Sequence, residues 1–151
     1  MEKKNKLHFV CLLLLSYFVG FVIMAFFQTP AQMEWYQTLN QSPFAPPAIT
    51  FSIVWGILYF LMAVSAWIVC DKVPLGLFYG QYAIQLIWSF VFFQCHWLWT
   101  GLIIMLLLCL TTTAITIRFY KKSHISGVLF LPYTAWCFFA TFLNLTVAWL
   151  N

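Results

Sequence analysis

The stretch WYQTLNQSPFAPPAITFSIVWGILY, residues 35–59, changes within a few positions from a polar, aromatic loop to a strongly apolar helix. Proline suits the start of a helix, because its missing N–H would have no partner there anyway. Pro46 and Pro47 therefore mark the point where a loop enters a membrane helix. Because the loop carries Trp35 and the helix carries Trp55, the junction predicts an aromatic lid over an apolar pocket.

Outward from this junction the whole chain is apolar. Of its 151 residues, 64% are hydrophobic and 7% are charged, whereas a soluble domain is about a quarter charged. A membrane-crossing helix needs roughly 20 apolar residues. The sequence therefore predicts an all-α integral membrane bundle, formed by one domain over 1–151 with a long loop at 28–46. Its five predicted spans cover about 7–27, 47–70, 75–95, 98–117 and 126–149.

All seven Lys and Arg residues fall on one side of the predicted spans. They are Lys3, Lys4, Lys6, Lys72, Arg118, Lys121 and Lys122. Because cytoplasmic loops collect Lys and Arg, we expect the N-terminus inside, the C-terminus outside and the 28–46 loop outside. The basic face also suits anionic lipid head groups, and a nucleic-acid partner is not expected.

Polar and aromatic side chains recur at helical spacing on three of the spans. The stripes are Ser52, Trp55 and Tyr59, then Gln81, Gln85, Trp88 and Phe92, then Tyr133, Trp136, Ala140 and Asn144. Trp55 lies about nine residues, or roughly 13 Å, below the outer end of its span, and Gln85 and Ala140 lie at a similar depth. Since a buried amide is costly unless it is paired, Gln85 and Asn144 face either a neighbouring helix or a pocket.

The spans carry little ionisable chemistry. Asp, Glu, Lys and Arg are missing from the middle of every span, which argues against an ion pump or a proton-coupled transporter. The five cysteines are scattered and read as small buried residues. His96, in the turn between the third and fourth spans, is a weak metal-ligand candidate or a polar helix end. Trp55 and Trp136 lie away from span ends, so they either stack on a flat ligand or pack against neighbours.

Gly76 and Gly80 form a G-x-x-x-G motif near the inner end of the third span. Small residues at this spacing let helices approach closely. The motif therefore predicts close helix packing, either within one chain or between the two copies of a homodimer.

In this order and spacing, four segments resemble the TspO/MBR family, the tryptophan-rich sensory and translocator proteins that include the peripheral benzodiazepine receptor. They are WYQTLNQSPFAPP at 35–47, VWGILY at 54–59, WSFVFF at 88–93 and LPYTAWCFFATFLN at 131–144. The resemblance implies a five-helix bundle, often dimeric, with a pocket under the first loop. That pocket would bind porphyrin or haem as its ligand and would require no other cofactor; animal members also bind sterols.

Carried over by position, the implied pocket consists of Tyr36, Pro46, Trp55, Tyr59, Gln85, Trp136 and Ala140. The loop and the stripes add Trp35, Trp88, Tyr133 and Asn144 to the expected ligand-binding set. The resemblance favours a tetrapyrrole sensor or transporter. An enzyme that degrades porphyrin with light and oxygen, using Trp55 and Trp136, is the alternative, and a lipid-binding or scaffolding protein is a third.

The chain departs from the family pattern at several positions. Gln85 stands where an Asn is usual, and Ile104 and Cys109 stand where an acid and a Trp are common. The roles of those groups are therefore in doubt in this chain. The short N-terminus and the absence of the sterol motif that follows the last span in animal members predict a bacterial inner-membrane protein without sterol transport.

Overall fold

A computed structural model describes residues 2–151 of the protein, with side chains over 6–151. The regular structure of these residues is helical throughout, and five helices are long and apolar enough to cross a membrane, which confirms the predicted bundle. The helices are α1 (Glu2–Val22, continued by a π-helical turn at Ile23–Phe27), α2 (Pro30–Thr38), α3 (Ala48–Val69), α4 (Gly76–Phe93), α5 (Leu98–Lys122) and α6 (His124–Leu150).

The prediction of a loop throughout 28–46 is wrong, because α2 occupies its centre. Pro30 starts this helix at the position where its fixed φ is already helical. The backbone N–H of Leu39 donates to the Tyr36 carbonyl at 3.2 Å and ends it. The helix α2 is short and not apolar, so a long apolar run in the sequence does not predict it. The helix α3 then begins at Ala48, directly after the proline pair.

The predicted bounds of the last two spans are too short. The helix α5 continues through its basic residues to Lys122, and α6 begins at His124. Ser123 alone separates them, and its hydroxyl accepts a hydrogen bond from the Ser126 N–H at 3.4 Å. The span predicted from hydropathy ends where the apolar residues end. The helix itself is longer, because its backbone hydrogen bonding continues into the charged turn.

The five long helices form a ring in the order α1, α3, α6, α5 and α4, and the π-helical turn that follows α1 contacts α4. Two serines join α3 to α6: the Ser65 hydroxyl donates to the Ser126 carbonyl, and the Ser126 hydroxyl donates to the Ser65 carbonyl, both at 2.7 Å. Small residues at helix contacts allow close approach in a membrane. This pair therefore fixes the half of the bundle farthest from α2.

The two halves of the bundle interior are filled differently. In the half away from α2, large side chains fill the space between helices: the Phe78 ring lies 5.3 Å from Tyr82 and 6.3 Å from Phe130. Met62 and Ala66 of α3 are completely buried in this half. Beneath α2, by contrast, aromatic rings line the walls and leave a space between them.

The basic residues lie at the end of the bundle opposite α2, which we term the basic end. Lys72 follows α3, and Arg118, Lys121 and Lys122 close α5; all are exposed. The side chains of Lys3 and Lys4 lie outside the described residues. The one-sided charge is therefore a property of the fold, and which side faces the cytoplasm stays a prediction.

Among the described residues, the G-x-x-x-G motif does not bring helices together. A Cβ atom added at Gly76 or Gly80 would meet none of their atoms within 4 Å. The sequence predicts two uses for this motif. The second use, contact between two copies of the chain, stays a prediction.

Candidate functional site

A cavity of about 540 Å³ lies between α1, α3, α4 and α6 and is covered by α2. The residues that form its wall are largely aromatic or small. They are Tyr17, Gly20, Phe21, Ile23, Met24, Gln28, Met33, Tyr36, Ala48, Phe51, Ser52, Trp55, Gly56, Tyr59, Gln85, Trp88, Ser89, Phe92, Phe93, Trp136, Ala140, Leu143, Asn144 and Val147.

Stacked rings build two sides of the cavity. On α3, the Trp55 ring stacks on Tyr59 with centroids 5.4 Å apart and planes 30° apart. On α4, the Trp88 ring stacks on Phe92 at the same centroid distance, with planes 25° apart. All four rings contribute to the wall, and aromatic surface favours stacking with another ring. The wall is therefore suited to a flat, apolar ligand.

Several residues that line the cavity carry buried polar atoms without a hydrogen-bond partner among the described residues. They are Gln85 Oε1, Trp88 Nε1, Trp136 Nε1 and both amide atoms of Asn144. A buried polar group left unpaired costs about 1–3 kcal/mol. These atoms therefore favour an occupant that supplies hydrogen bonds as well as a flat surface.

The described residues that line the cavity include no Asp, Glu, Lys, Arg or His. An ion held there would lack a compensating charge in low-dielectric surroundings. The interior therefore suits the uncharged part of a ligand, and any charged group must remain near the mouth.

Most of the sequence-predicted site residues meet at this cavity. Those that line it are Tyr36, Trp55, Tyr59, Gln85, Trp88, Trp136, Ala140 and Asn144. The helical stripes and the proposed depth therefore converge in space, as the chain order and the spacing predict. Whether these residues bind a ligand stays a prediction.

Tyr133, Trp35 and Pro46 are predicted site residues that do not line the cavity. Tyr133 is completely buried behind Trp55 and donates its hydroxyl to Gln81 Oε1 at 2.6 Å. A stripe at helical spacing fixes the face of a helix but not where a cavity ends along it. Tyr133 and Gln81 therefore belong to the packed layer below.

The contribution of α1 was missed by the sequence reasoning. Tyr17, Gly20, Phe21 and Met24 line the cavity, yet they sit in an apolar run without an obvious polar stripe. The detectable signal was Gly20, a glycine within a run of bulky residues. A Cβ at this position would lie 2.5 Å from Tyr59 Cε2.

The helix α2 lies over the cavity and contributes Tyr36 to its wall. The Tyr36 ring lies 6.0 Å from both Phe92 and Phe93 at the end of α4. Burial raises the pKa of the Tyr36 hydroxyl above its ordinary value. The hydroxyl is therefore protonated and neutral in the covered state, in keeping with the uncharged wall.

In its second turn, α2 is held against the turn that follows α4. The Trp35 ring stacks on His96 with centroids 3.8 Å apart and planes 9° apart. His96 has a φ of 58°, a conformation that is uncommon outside glycine. Over the described part of the chain, no group of three or more His, Cys, Asp and Glu could hold a metal ion, so His96 has a stacking role in this structure.

After α2, the loop is held by the end of α6. The Asn40 N–H donates to Asn151 Oδ1, and Asn151 Nδ2 donates to the Asn40 carbonyl, both at 3.0 Å. Asn40 Nδ2 also donates to the Leu150 carbonyl at 3.4 Å. We refer to this Asn40–Asn151 pairing as the lid clasp.

The positions that depart from the family pattern on α5 lie away from the cavity. Ile104 is half-buried and Cys109 is buried, with its sulfur 3.1 Å from Thr141 Oγ1. The cavity wall is supplied by α1, α2, α3, α4 and α6 and by Gln28. These substitutions therefore leave the wall itself unchanged, whereas Gln85 is part of it.

Comparison with known proteins gives a consistent result. The sequence model of the TspO/MBR family matches residues 11–150. The chain is 34% identical over 125 residues to Protein CrtK of Rhodobacter capsulatus, covering 78% of each chain. It is 35% identical over 122 residues to the tryptophan-rich sensory protein of Cereibacter sphaeroides, covering 78% of this chain and 77% of that protein. It is 32% identical over 124 residues to the human translocator protein, covering 76% and 73%.

Proposed function

The chain belongs to the TspO/MBR family of membrane proteins, and from this premise we propose that it binds tetrapyrroles in the cavity beneath α2 and acts as their sensor or transporter. The relatives named tryptophan-rich sensory protein and translocator protein support these two roles. Both roles need the same first step, which is reversible binding of a flat, largely apolar molecule within the bilayer.

The observation that supports this proposal most strongly is the aromatic, uncharged cavity itself. Its volume of about 540 Å³ is within the range of roughly 300–1,000 Å³ typical of small-molecule sites. A tetrapyrrole offers a broad conjugated face to Trp55 and Trp88, and aromatic faces favour stacking with offset or edge contacts.

The charged groups of such a ligand would remain outside the cavity interior. Porphyrins carry carboxylates on one edge, and the described lining residues offer them no cation. The ring would therefore enter with its apolar edge first. The carboxylates would stay at the mouth beside α2, where water can solvate them.

A second candidate function is light- and oxygen-dependent degradation of the bound porphyrin. The observation that favours it is the presence of the Trp55 and Trp136 indole rings in the cavity wall, where they would touch the ligand. This function predicts a new absorption spectrum that forms only under illumination and only when protein is present.

The binding proposal is tested by titrating purified protein into protoporphyrin and following the main absorption band of the porphyrin in the dark. We expect saturable binding that Trp55→Phe weakens roughly two- to tenfold, because stacking pairs contribute about 0.5–1.5 kcal/mol. Trp99→Phe is the matched control, since Trp99 is exposed at the start of α5 and contacts Trp149.

The control should bind like the unchanged protein. Band shifts equal to those in empty detergent micelles would contradict the proposal and leave the lipid-binding or scaffolding role. Illumination of the same samples then separates simple binding from degradation, because only degradation yields a product spectrum that Trp55→Phe suppresses while binding persists.

A further inference from the structure

We propose that the buried amides of Gln85 and Asn144 select ligands with a neutral lactam edge, in which a carbonyl lies beside an N–H. This inference rests on the proposed function and narrows its ligand class. Among tetrapyrroles, open-chain molecules carry lactam ends, whereas closed porphyrins do not.

Asn144 is the strongest element of this selection. It lies on α6 and lines the cavity, its side chain is 3% exposed, and neither Nδ2 nor Oδ1 has a partner among residues 6–151. A primary amide offers a donor and an acceptor side by side. A lactam offers the complementary acceptor and donor, so the two can form a pair of parallel hydrogen bonds.

Gln85 offers a second contact from α4. Its Nε2 donates to the Tyr59 hydroxyl at 3.1 Å, which holds the amide in place and leaves Oε1 free. Gln85 is 3% exposed and also lines the cavity. The free oxygen accepts a hydrogen bond, so it suits a ligand N–H that reaches the α4 side.

One indole N–H group extends the same pattern. Trp136 Nε1 lacks a partner within the described structure, and Trp136 lines the cavity. An indole N–H can only donate, so this atom suits a ligand carbonyl oxygen. Trp88 Nε1 is also unpaired but lies on the α5 side, 3.7 Å from the position of a Cβ added at Gly101. The cavity therefore offers donors and acceptors from α4 and α6 without any charge.

A closed porphyrin cannot use this arrangement. Its pyrrole N–H groups lie at the centre of the ring, and its edge is hydrocarbon apart from the carboxylates. A buried polar group that finds no partner in one ligand but pairs with another discriminates strongly between them. The unpaired amides therefore favour the ligand with polar groups along its edge.

The test compares two uncharged probes, biliverdin dimethyl ester and protoporphyrin dimethyl ester, so that carboxylates play no part. Their dissociation constants are measured by absorption titration in the dark on the unchanged protein and on Asn144→Leu. Leucine keeps the branching and the number of heavy atoms of asparagine and removes both hydrogen-bonding atoms. Thr146→Ala is the control on the same helix, because its hydroxyl bonds only within α6 in this structure.

We expect Asn144→Leu to raise the dissociation constant of biliverdin dimethyl ester about tenfold, as the loss of a pair of hydrogen bonds implies. Its affinity for protoporphyrin dimethyl ester should change less than about threefold, and thermal unfolding should show a folded protein. Equal effects on both probes, or none on either, would overturn the selection while porphyrin binding itself survives. Failure of both probes to bind the unchanged protein would instead overturn the proposed function.

If Asn144→Leu does not fold, Gln85→Met provides the second variant. Methionine retains roughly the length of glutamine and removes the free oxygen together with the Nε2 donor to the Tyr59 hydroxyl. We expect the affinity for biliverdin dimethyl ester to fall more than the affinity for protoporphyrin dimethyl ester. An unchanged ratio of the two affinities would contradict the inference.

Discussion

At the residue scale, a missing side chain shapes one wall of the cavity. Gly20 faces the Tyr59 ring so closely that a Cβ added to it would lie 2.5 Å from Tyr59 Cε2. Tyr59 in turn supports the stacked Trp55 and accepts the hydrogen bond from Gln85. The glycine therefore allows α1 and α3 to hold this tyrosine in one position.

We predict that Gly20→Ala destabilises the folded protein by about 1–3 kcal/mol, because the methyl group must displace the Tyr59 ring in a filled wall. The midpoint of thermal unfolding in detergent measures the change. Gly80→Ala is the matched control, since a Cβ there meets nothing within 4 Å. Equal midpoints for Gly20→Ala and the unchanged protein would show that the wall yields without cost.

The residues that could be predicted from the sequence are those with an unusual chemistry for their position. Gln85 and Asn144 stand out because amides are costly within a bilayer, and Trp55 and Trp136 stand out because they lie away from span ends. The α1 residues are apolar in an apolar helix, so their chemistry does not distinguish a cavity wall from a lipid-facing surface. Gly20 is the exception, because a glycine within a run of bulky residues is visible in the sequence, and its contact with Tyr59 explains it.

At the scale of the element, the decisive feature is α2, which connects α1 to α3 and covers the cavity. It is held in its second turn by the Trp35–His96 stack and, beyond its last residue, by the lid clasp. These contacts join it to the α4–α5 turn and to the end of α6. Opening the cavity on the α2 side therefore requires these contacts to break, together with the packing of Tyr36 against Phe92 and Phe93.

We predict that Asn151→Ala loosens α2, because it removes the side chain that accepts from the Asn40 N–H and donates to its carbonyl. Amide hydrogen exchange over 30–41 should accelerate about tenfold, since each exposed bond contributes roughly 0.5–1.5 kcal/mol. Mass spectrometry of peptides from this segment measures it.

Thr146→Ala serves as the control for the clasp, because Thr146 lies on the same helix and donates to the Phe142 carbonyl. It should leave exchange in 30–41 unchanged. If Asn151→Ala also leaves it unchanged, the clasp does not hold the lid.

The long helices were predictable and α2 was not, for a physical reason. A spanning helix must be apolar over about 20 residues, and this leaves a clear record in composition. A nine-residue helix at the surface needs no apolar run, and its stability depends on contacts such as the Trp35–His96 stack. Those contacts join positions far apart in the chain.

At the scale of the whole molecule, the two ends of the bundle differ in chemistry. The α2 end carries the cavity and the lid, and the opposite end carries the exposed Lys72, Arg118, Lys121 and Lys122. Because basic residues remain on the cytoplasmic side, we propose that the lid faces outward. A ligand would then enter from the outer side or from the outer leaflet.

We predict that trypsin, which cuts after Lys and Arg, leaves the protein intact in right-side-out membrane vesicles and cleaves it in inverted ones. Every Lys and Arg of the chain falls at the predicted inner side, so the native protein needs no engineered site. Gel electrophoresis reports the cleavage, and a soluble protein of known side confirms the vesicle orientation. Cleavage in right-side-out vesicles alone would contradict the proposed orientation and indicate the opposite one.

The central claim is that a tetrapyrrole occupies the cavity beneath α2, and cavity filling tests it most directly. Ala140 lines the cavity on α6, whereas Ala135 is exposed on the same helix. Protoporphyrin quenching of tryptophan fluorescence is measured for the unchanged protein, Ala140→Phe and Ala135→Phe, with thermal unfolding as the check of folding. We predict saturable quenching in the unchanged protein and in Ala135→Phe, and its loss in a folded Ala140→Phe. Equal saturable quenching in all three would contradict binding in this cavity.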